Sequence, residues 1–195
     1  MTTNLIALFH CAANMSIARK LFRLFKSFNE YVKIKGLLKQ DMPQVDKLLN
    51  ILARLAFFFY WIFDNLVVLI KVKFLTSLDL KNTSRTASKF WLLGIWLSIA
   101  LALHSMMQTV KDEAKLMLTK ARVGTEGGIS QEKYAELVKR ANAKKKANML
   151  TLVKNLGDSI TASQSLGYPK SYFGFDFSDA WVGCGGMTSS AITMY

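Results

Sequence analysis

The chain has 195 residues, of which 26 are Lys or Arg, 13 are Asp or Glu and 51% are hydrophobic; a formal net charge of +13 stands beside a positive mean hydropathy. That pairing excludes an acidic disordered chain and predicts segregation, with apolar stretches beside cationic ones and anionic membrane or nucleic acid as the usual partners. Two prolines favour a mostly helical fold, and Cys11 and Cys184, which lack a CxxC spacing, argue against a disulfide framework or zinc site while leaving one redox-sensitive contact open.

Asn4 to Ala13 is short and apolar, with no basic residues before it, and is not expected to act as a secretory signal. The final Thr193-Met194-Tyr195 is not a Ser-Lys-Leu type address, so any organelle signal is expected to be internal. Ser16 is placed to cap a helix over Ile17 to Leu38. On a helical wheel Ile17, Leu21, Leu24, Phe25, Phe28, Tyr31, Val32 and Leu38 share a stripe about 140° wide. Arg19, Lys26, Glu30 and Lys33 lie near the opposite pole. Residues 15–39 hold seven basic side chains against one acid, for a net +6. An aromatic apolar face backed by cations suits an anionic lipid surface. Membrane insertion is therefore assigned to Ile17, Leu21, Leu24, Phe25, Phe28 and Val32, and anionic-lipid contact to Arg19, Lys20, Arg23, Lys26 and Lys33. Lys35 falls in the middle of the stripe, where it would snorkel or pair with Asp64. Gly36 and Gln40 to Pro43 are expected to end this helix.

Val45 to Leu80 centres on the apolar run Leu55 to Ile70. Its uninterrupted part, Leu55 to Phe63, is nine residues, short of the ~20 needed to span, and Asp64 would stand inside any longer span. This segment reads as a buried or half-inserted helix. Asp64 and Asn65 are its structural polar residues, and Arg54 or a cation of the first helix is the expected partner of Asp64. The basic stretch with Lys71, Lys73, Lys81, Arg85 and Lys89 reads as a loop around Asn82-Thr83-Ser84. Phe90 to Val110 is 21 residues without formal charge, about 31 Å as a helix against a hydrocarbon core of ~30 Å. Trp91 and Trp96 lie toward one end, and Gly94, Ser98 and Ala102 form a face for close helix packing. His104 is expected to meet another helix or water, since no second metal ligand accompanies it.

Lys111 to Leu156 is charged again, eleven basic residues against five acidic, and is broken by glycines at 124, 127 and 128. Tyr134, Leu137, Val138, Ala141, Leu152, Val153 and Leu156 then keep helical spacing, predicting a second amphipathic basic helix. Phe173 to Tyr195 reads as a short, polar C-terminal membrane helix with Gly183, Gly186 and Ser190 as a packing seam. No P-loop, G-x-S-x-G, H-E-x-x-H or GxGxxG occurs, and no DNA- or RNA-binding signature accompanies the lysines at 144–146. The chain is read as a non-enzyme with no cofactor, no metal and no nucleic-acid partner.

Three stretches together resemble the peroxisomal membrane protein 11 (peroxin-11) family. Ser16 to Lys26 is similar to that family's N-terminal R-K-x-x-R-L-x-K amphipathic helix. Tyr60-Trp61-Ile62-Phe63-Asp64-Asn65-Leu66-Val67 resembles its aromatic run into Asp-Asn-Leu-Val. Ser178 to Gly183, continuing through Gly186, Ser189 and Ser190, resembles its terminal glycine-rich helix. The resemblance implies an integral peroxisomal (or, in kinetoplastids, glycosomal) membrane protein that elongates and divides the organelle. It implies insertion of the N-terminal helix in the cytosolic leaflet, self-association into homo-oligomers and recruitment of dynamin-related fission machinery. Some members are also implicated in passage of small metabolites.

The expectation is an all-α chain of membrane-associated amphipathic helices with one clear and one marginal transmembrane helix. Its regions are residues 1–89 (amphipathic helical), 90–110 (transmembrane), 111–172 (basic helical loop) and 173–195 (C-terminal membrane helix). The leading function is membrane remodelling. A pore or metabolite channel using Asp64 and His104 is the alternative, and a soluble nucleic-acid-binding helical protein stands behind both.

Overall fold

A computed structural model describes Arg23, residues 25–120 and residues 130–194; Ile17, Arg19, Lys20, Leu21, Leu24, the Ser16 cap and Cys11 lie outside the described residues. The described chain is all-α, as the sequence predicts. Its helices are α1 (Lys26–Lys39), α2 (Gln44–Lys71), α3 (Leu80–Lys120), α4 (Gln131–Leu166), α5 (Tyr168–Phe173) and α6 (Asp179–Met194). Each long helix packs on the long helix before it, giving a row in the order α1, α2, α3, α4, α6, with the short α5 against α4.

Local chemistry sets the ends. Pro43 lacks an amide hydrogen and stands just before α2, while Gly36, expected to stop α1, is an interior residue of a helix that runs on to Lys39. The loop expected at 82–84 is the first turn of α3. Asp79 accepts from the backbone amides of Lys81 (3.3 Å) and Asn82 (3.0 Å), and the Thr83 hydroxyl donates to the Asp79 carbonyl (2.8 Å), so the helix starts at Leu80 and the connection is 72–79. Ser130 caps α4 by accepting from the Lys133 amide (3.3 Å), and Gly167 ends it in the left-handed region at φ 69°.

Successive helices run antiparallel. Between α2 and α3, His104 Nδ1 meets Asp46 Oδ1 at 2.6 Å, Tyr60 stacks on Trp91 at 5.9 Å and Phe63 on Phe90 at 5.6 Å. His104 thus meets another helix, one of the two outcomes expected of it. Gly94 lies against the Phe57 ring, where a methyl group would come within 2.9 Å of Cε1; Ala102 is buried and the half-buried Ser98 turns its hydroxyl back to the Gly94 carbonyl (2.8 Å). Between α3 and α4, Trp96 Nε1 donates to Ser159 (3.4 Å), Asn148 to Ser105 (3.1 Å) and Lys145 to Glu113 (3.2 Å). The main core cluster is small: Leu92 and Ile95 of α3 with Ala162 and Leu166 of α4, flanked by Phe57, Trp91, Ile99 and Tyr168.

Two described helices are long and apolar enough to cross a membrane by length and composition, Gln44–Lys71 and Leu80–Leu118. The clear span expected at 90–110 lies inside α3, which continues on both sides of it. The second is α2, read from sequence as half-inserted, whereas α6 has only 16 residues. Asp64 does not shorten α2, because it turns inward and is 6% exposed, beside the equally buried Val67 and Val68. The apolar side chains Val45, Leu48, Leu52 and Phe59 of α2, and Leu93, Trp96, Leu103, Met107 and Val110 of α3, are exposed instead. A row of helices whose outer faces carry such residues leaves apolar surface uncovered among the described residues.

Candidate membrane-inserting face

Helix α1 is docked with its polarity reversed. Its least exposed positions are Arg23 in the preceding turn, then Ser27, Glu30, Ile34 and Leu37, with only Glu30 and Leu37 fully buried. These recur at alternating steps of four and three, which is the spacing of a helix–helix seam. The rest of α1 is exposed.

Polar groups hold the seam. Glu30, 6% exposed, accepts from Lys33 Nζ at 2.6 Å and from Arg54 of α2 at 3.3 Å. Lys26 Nζ stands 4.6 Å from the centre of the Trp61 ring, a cation–π contact. Desolvation there lowers the Lys26 pKa from the ordinary lysine value, Arg23 and Lys33 push the same way by like charge, and Glu30 opposes them. At the far end Lys47 of α2 donates to the Leu38 and Gln40 carbonyls (2.9 and 3.1 Å), closing the C-terminus of α1.

With the polar pole spent on α2, the apolar stripe faces outward. Phe25 is 80% exposed, Phe28 61% and Val32 52%, and Tyr31 and Leu38 join them. Phe25, Phe28 and Val32 are the described members of the insertion set read from the sequence; Tyr31 and Leu38 belong to the wider stripe. The cations divide differently from expectation. Lys26, assigned to lipid, lies over Trp61 of α2, and Lys33, assigned to lipid, pairs with Glu30 of its own helix while its side chain stays 52% exposed. Arg23 is half-buried. Lys35 is exposed, and the pair that ties α1 to α2 is Glu30–Arg54 rather than one between Lys35 and Asp64. Arg54, a candidate partner of Asp64, is thus committed to Glu30.

The packing seam of the last helix also moves. A methyl group at Gly183 or Gly186 would meet open space, whereas Gly185 and Ser189 are buried. Gly185 approaches Gly157 of α4 so closely that a methyl group on Gly157 would lie 2.6 Å from the Gly185 carbonyl oxygen. Asn65, next to Asp64, is half-buried on α2.

A polar crevice of about 360 Å³ opens between α2, α3 and α4, lined by Asp46, Asn50, Arg54, Ser105, Lys144 and Asn148 among others. Asp64 does not line it, so the two residues named for a pore, Asp64 and His104, are not brought together at this crevice.

No curated protein and no solved structure matches the chain. The family model of peroxisomal biogenesis factor 11 (PEX11) matches residues 4–195, nearly the whole length. An all-α row with an apolar exterior, two helices able to cross a bilayer and a family match from end to end lead to one conclusion: the chain belongs to the peroxisomal biogenesis factor 11 family, the peroxisomal membrane proteins of peroxisome proliferation.

Proposed function

We propose that this protein elongates its organelle by wedging α1 into the cytosolic leaflet of the peroxisomal membrane, or the glycosomal one where that organelle takes its place. The reversed docking of α1 carries the reading. A helix that turns Glu30 to Arg54 and Lys26 to Trp61 of its neighbour, and leaves Phe25, Phe28, Tyr31, Val32 and Leu38 exposed, has an apolar face with no partner among the described residues. Inserted by roughly 5–10 Å, that face enlarges one leaflet relative to the other. Helices α2 and α3 anchor the protein as membrane-crossing segments; because α1 lies along α2 from Lys47 to Trp61, it enters the leaflet by leaving that face of α2, and Ile17, Leu21 and Leu24 extend the inserting face, with Arg19 and Lys20 at anionic headgroups. Exposed apolar residues along the row support self-association into homo-oligomers, and recruitment of dynamin-related fission machinery follows from the family.

Full-length protein reconstituted in vesicles containing anionic lipid should draw them into tubules seen by electron microscopy. Phe28→Glu should remove tubulation, because a carboxylate at the acyl boundary costs on the order of 1–3 kcal/mol, about tenfold in partitioning per 1.4 kcal/mol. Tubulation by the Phe28→Glu protein equal to wild type would sink the wedge. Release of wild-type protein from membranes by alkaline carbonate would refute the anchoring.

The crevice beside Arg54 and Lys144 favours a second reading, a path for small anions. Its expected signature is conductance of reconstituted protein that falls on Arg54→Gln; no conductance above lipid alone removes it.

A further inference from the structure

A cavity separate from α1 lies where α2 ends and α3 begins, closed on one side by the C-terminal end of α4. Its volume is about 750 Å³. Three cations line it, Lys71, Lys81 and Arg85, together with the hydroxyls of Ser84, Ser88 and Ser165. None of the three cations has a carboxylate partner among the described residues. The one acid in the lining, Asp79, is committed, since its carboxylate accepts from the Lys81 and Asn82 backbone amides as the cap of α3. Three cations and the hydroxyls of Ser84 and Ser88 offer donors in excess of acceptors, the set that a phosphate's oxygens require; the Ser165 hydroxyl donates to the Ala162 carbonyl (2.7 Å).

Depth and surroundings select the source of that phosphate. Arg85 lies five residues before Phe90, where the uncharged stretch of α3 begins, or about 7 Å along the axis. That is the headgroup layer when Phe90 marks the edge of the hydrocarbon. The connection between α2 and α3 exposes Val72, Phe74 and Leu78, with Phe74 76% exposed, and Leu80 at the start of α3 lines the cavity. The turn that presents Phe74 is built: its amide donates to the Leu69 carbonyl (2.9 Å), and Lys73 takes the left-handed conformation at φ 60°. Apolar side chains around a cationic cavity suit an amphiphile, with the charge in the cavity and the chains beside it.

We infer that the Lys71–Lys81–Arg85 cavity holds the phosphate headgroup of an anionic phospholipid in the leaflet at the α2–α3 turn. The inference rests on residence in the membrane and not on the wedge of α1. The source is a lipid rather than a soluble phosphate because Val67, Leu80 and Leu166 share the lining with the cations, and the exposed Val72 and Leu78 directly adjoin the lining residues Lys71 and Asp79 in the chain.

Full-length protein in detergent, titrated with phosphatidic acid and followed by native mass spectrometry, should retain one tightly held lipid. The triple variant Lys71→Gln, Lys81→Gln, Arg85→Gln should bind it about tenfold more weakly or worse, with phosphatidylcholine binding unchanged. Asp79→Asn keeps a good capping residue while removing the negative charge, so it should bind phosphatidic acid severalfold more tightly. Phe28→Glu should leave this lipid in place even where it ends tubulation, which separates failure of the wedge from failure of this site. Wild-type retention by the triple variant overturns the proposal, as does an Asp79→Asn protein with no gain, which remains decisive if the triple variant does not fold. Inorganic phosphate that binds wild type in the absence of lipid and displaces phosphatidic acid at equal concentration would assign the cavity to a soluble phosphate and overturn the lipid.

Discussion

Replacing Gly157 by alanine is expected to destabilise the packing of α6 on α4 by about 1–3 kcal/mol, and replacement by valine by more. The added methyl group would sit 2.6 Å from the Gly185 carbonyl oxygen, and Gly185→Ala meets Gly157 O at 2.7 Å in the same way. The obstacle is backbone on both sides, so no rotamer relieves it and the helices must move apart. Loss of contact there also loosens Gln164, whose side chain receives the Phe177 amide (3.1 Å) and reaches toward Asp176 (3.4 Å). Gly183→Ala and Gly186→Ala, on the same helix, point into open space and are expected to stabilise it by roughly 0.5–1 kcal/mol each, the usual gain of alanine over glycine. Thermal unfolding in detergent, followed by circular dichroism, reads both signs. A Gly157→Ala protein that melts with wild type would mean that α4 and α6 do not meet at this pair.

The second large effect is expected at the Glu30–Arg54 contact. Arg54→Met leaves the Glu30 carboxylate, whose side chain is 8% exposed, with Lys33 as its described partner. Stripping one partner from a buried carboxylate costs about 3–5 kcal/mol, but the Arg54 side chain is 37% exposed and solvent screens the pair, so about 1–2 kcal/mol is expected here. The double variant Glu30→Met, Arg54→Met removes both charges and should recover most of the loss, a positive coupling in a double-mutant cycle. Tryptic cleavage after Lys39, the last residue of α1, supplies an independent readout: faster in Arg54→Met, near wild type in the double variant. Equal cleavage in all three proteins would mean that the pair does not hold α1 in place.

The helical character of the chain and the uncharged run inside α3 were legible from spacing and charge alone. So was the outward stripe of α1, although the reason for its exposure was not. The seam at 23, 27, 30, 34 and 37 has the regular spacing of a packing face, yet it is filled by Arg, Ser and Glu, so a reading that equates burial with hydropathy passes over it. The signal was in the intervals rather than in the residue types. The start of α3 was hidden for a related reason: Asn82-Thr83-Ser84 has loop-like composition, and only the capping role of Asp79 turns those residues into a first turn. In α6 four small residues fall in close succession, and Gly183, Gly185 and Gly186 compete for one contact; composition cannot choose among them, because the choice depends on where Gly157 arrives from a distant helix. By composition Asp64 interrupts the apolar run, but an acid on the buried face of α2 leaves the outward, apolar side of the helix intact.

The length of α3 has a mechanical consequence. Its 41 residues make a rod of about 60 Å, roughly twice the hydrocarbon thickness. A change in tilt of about 20°, within the ordinary range for membrane helices, swings each end some 10 Å sideways. Thinning or bending of the bilayer that alters tilt is therefore geared up along the rod. The small displacement at its waist, where Ile95 is locked against Ala162, becomes a large one at Lys120. If α1 acts as the proposed wedge, α3 is a pointer whose far end reports the deformation.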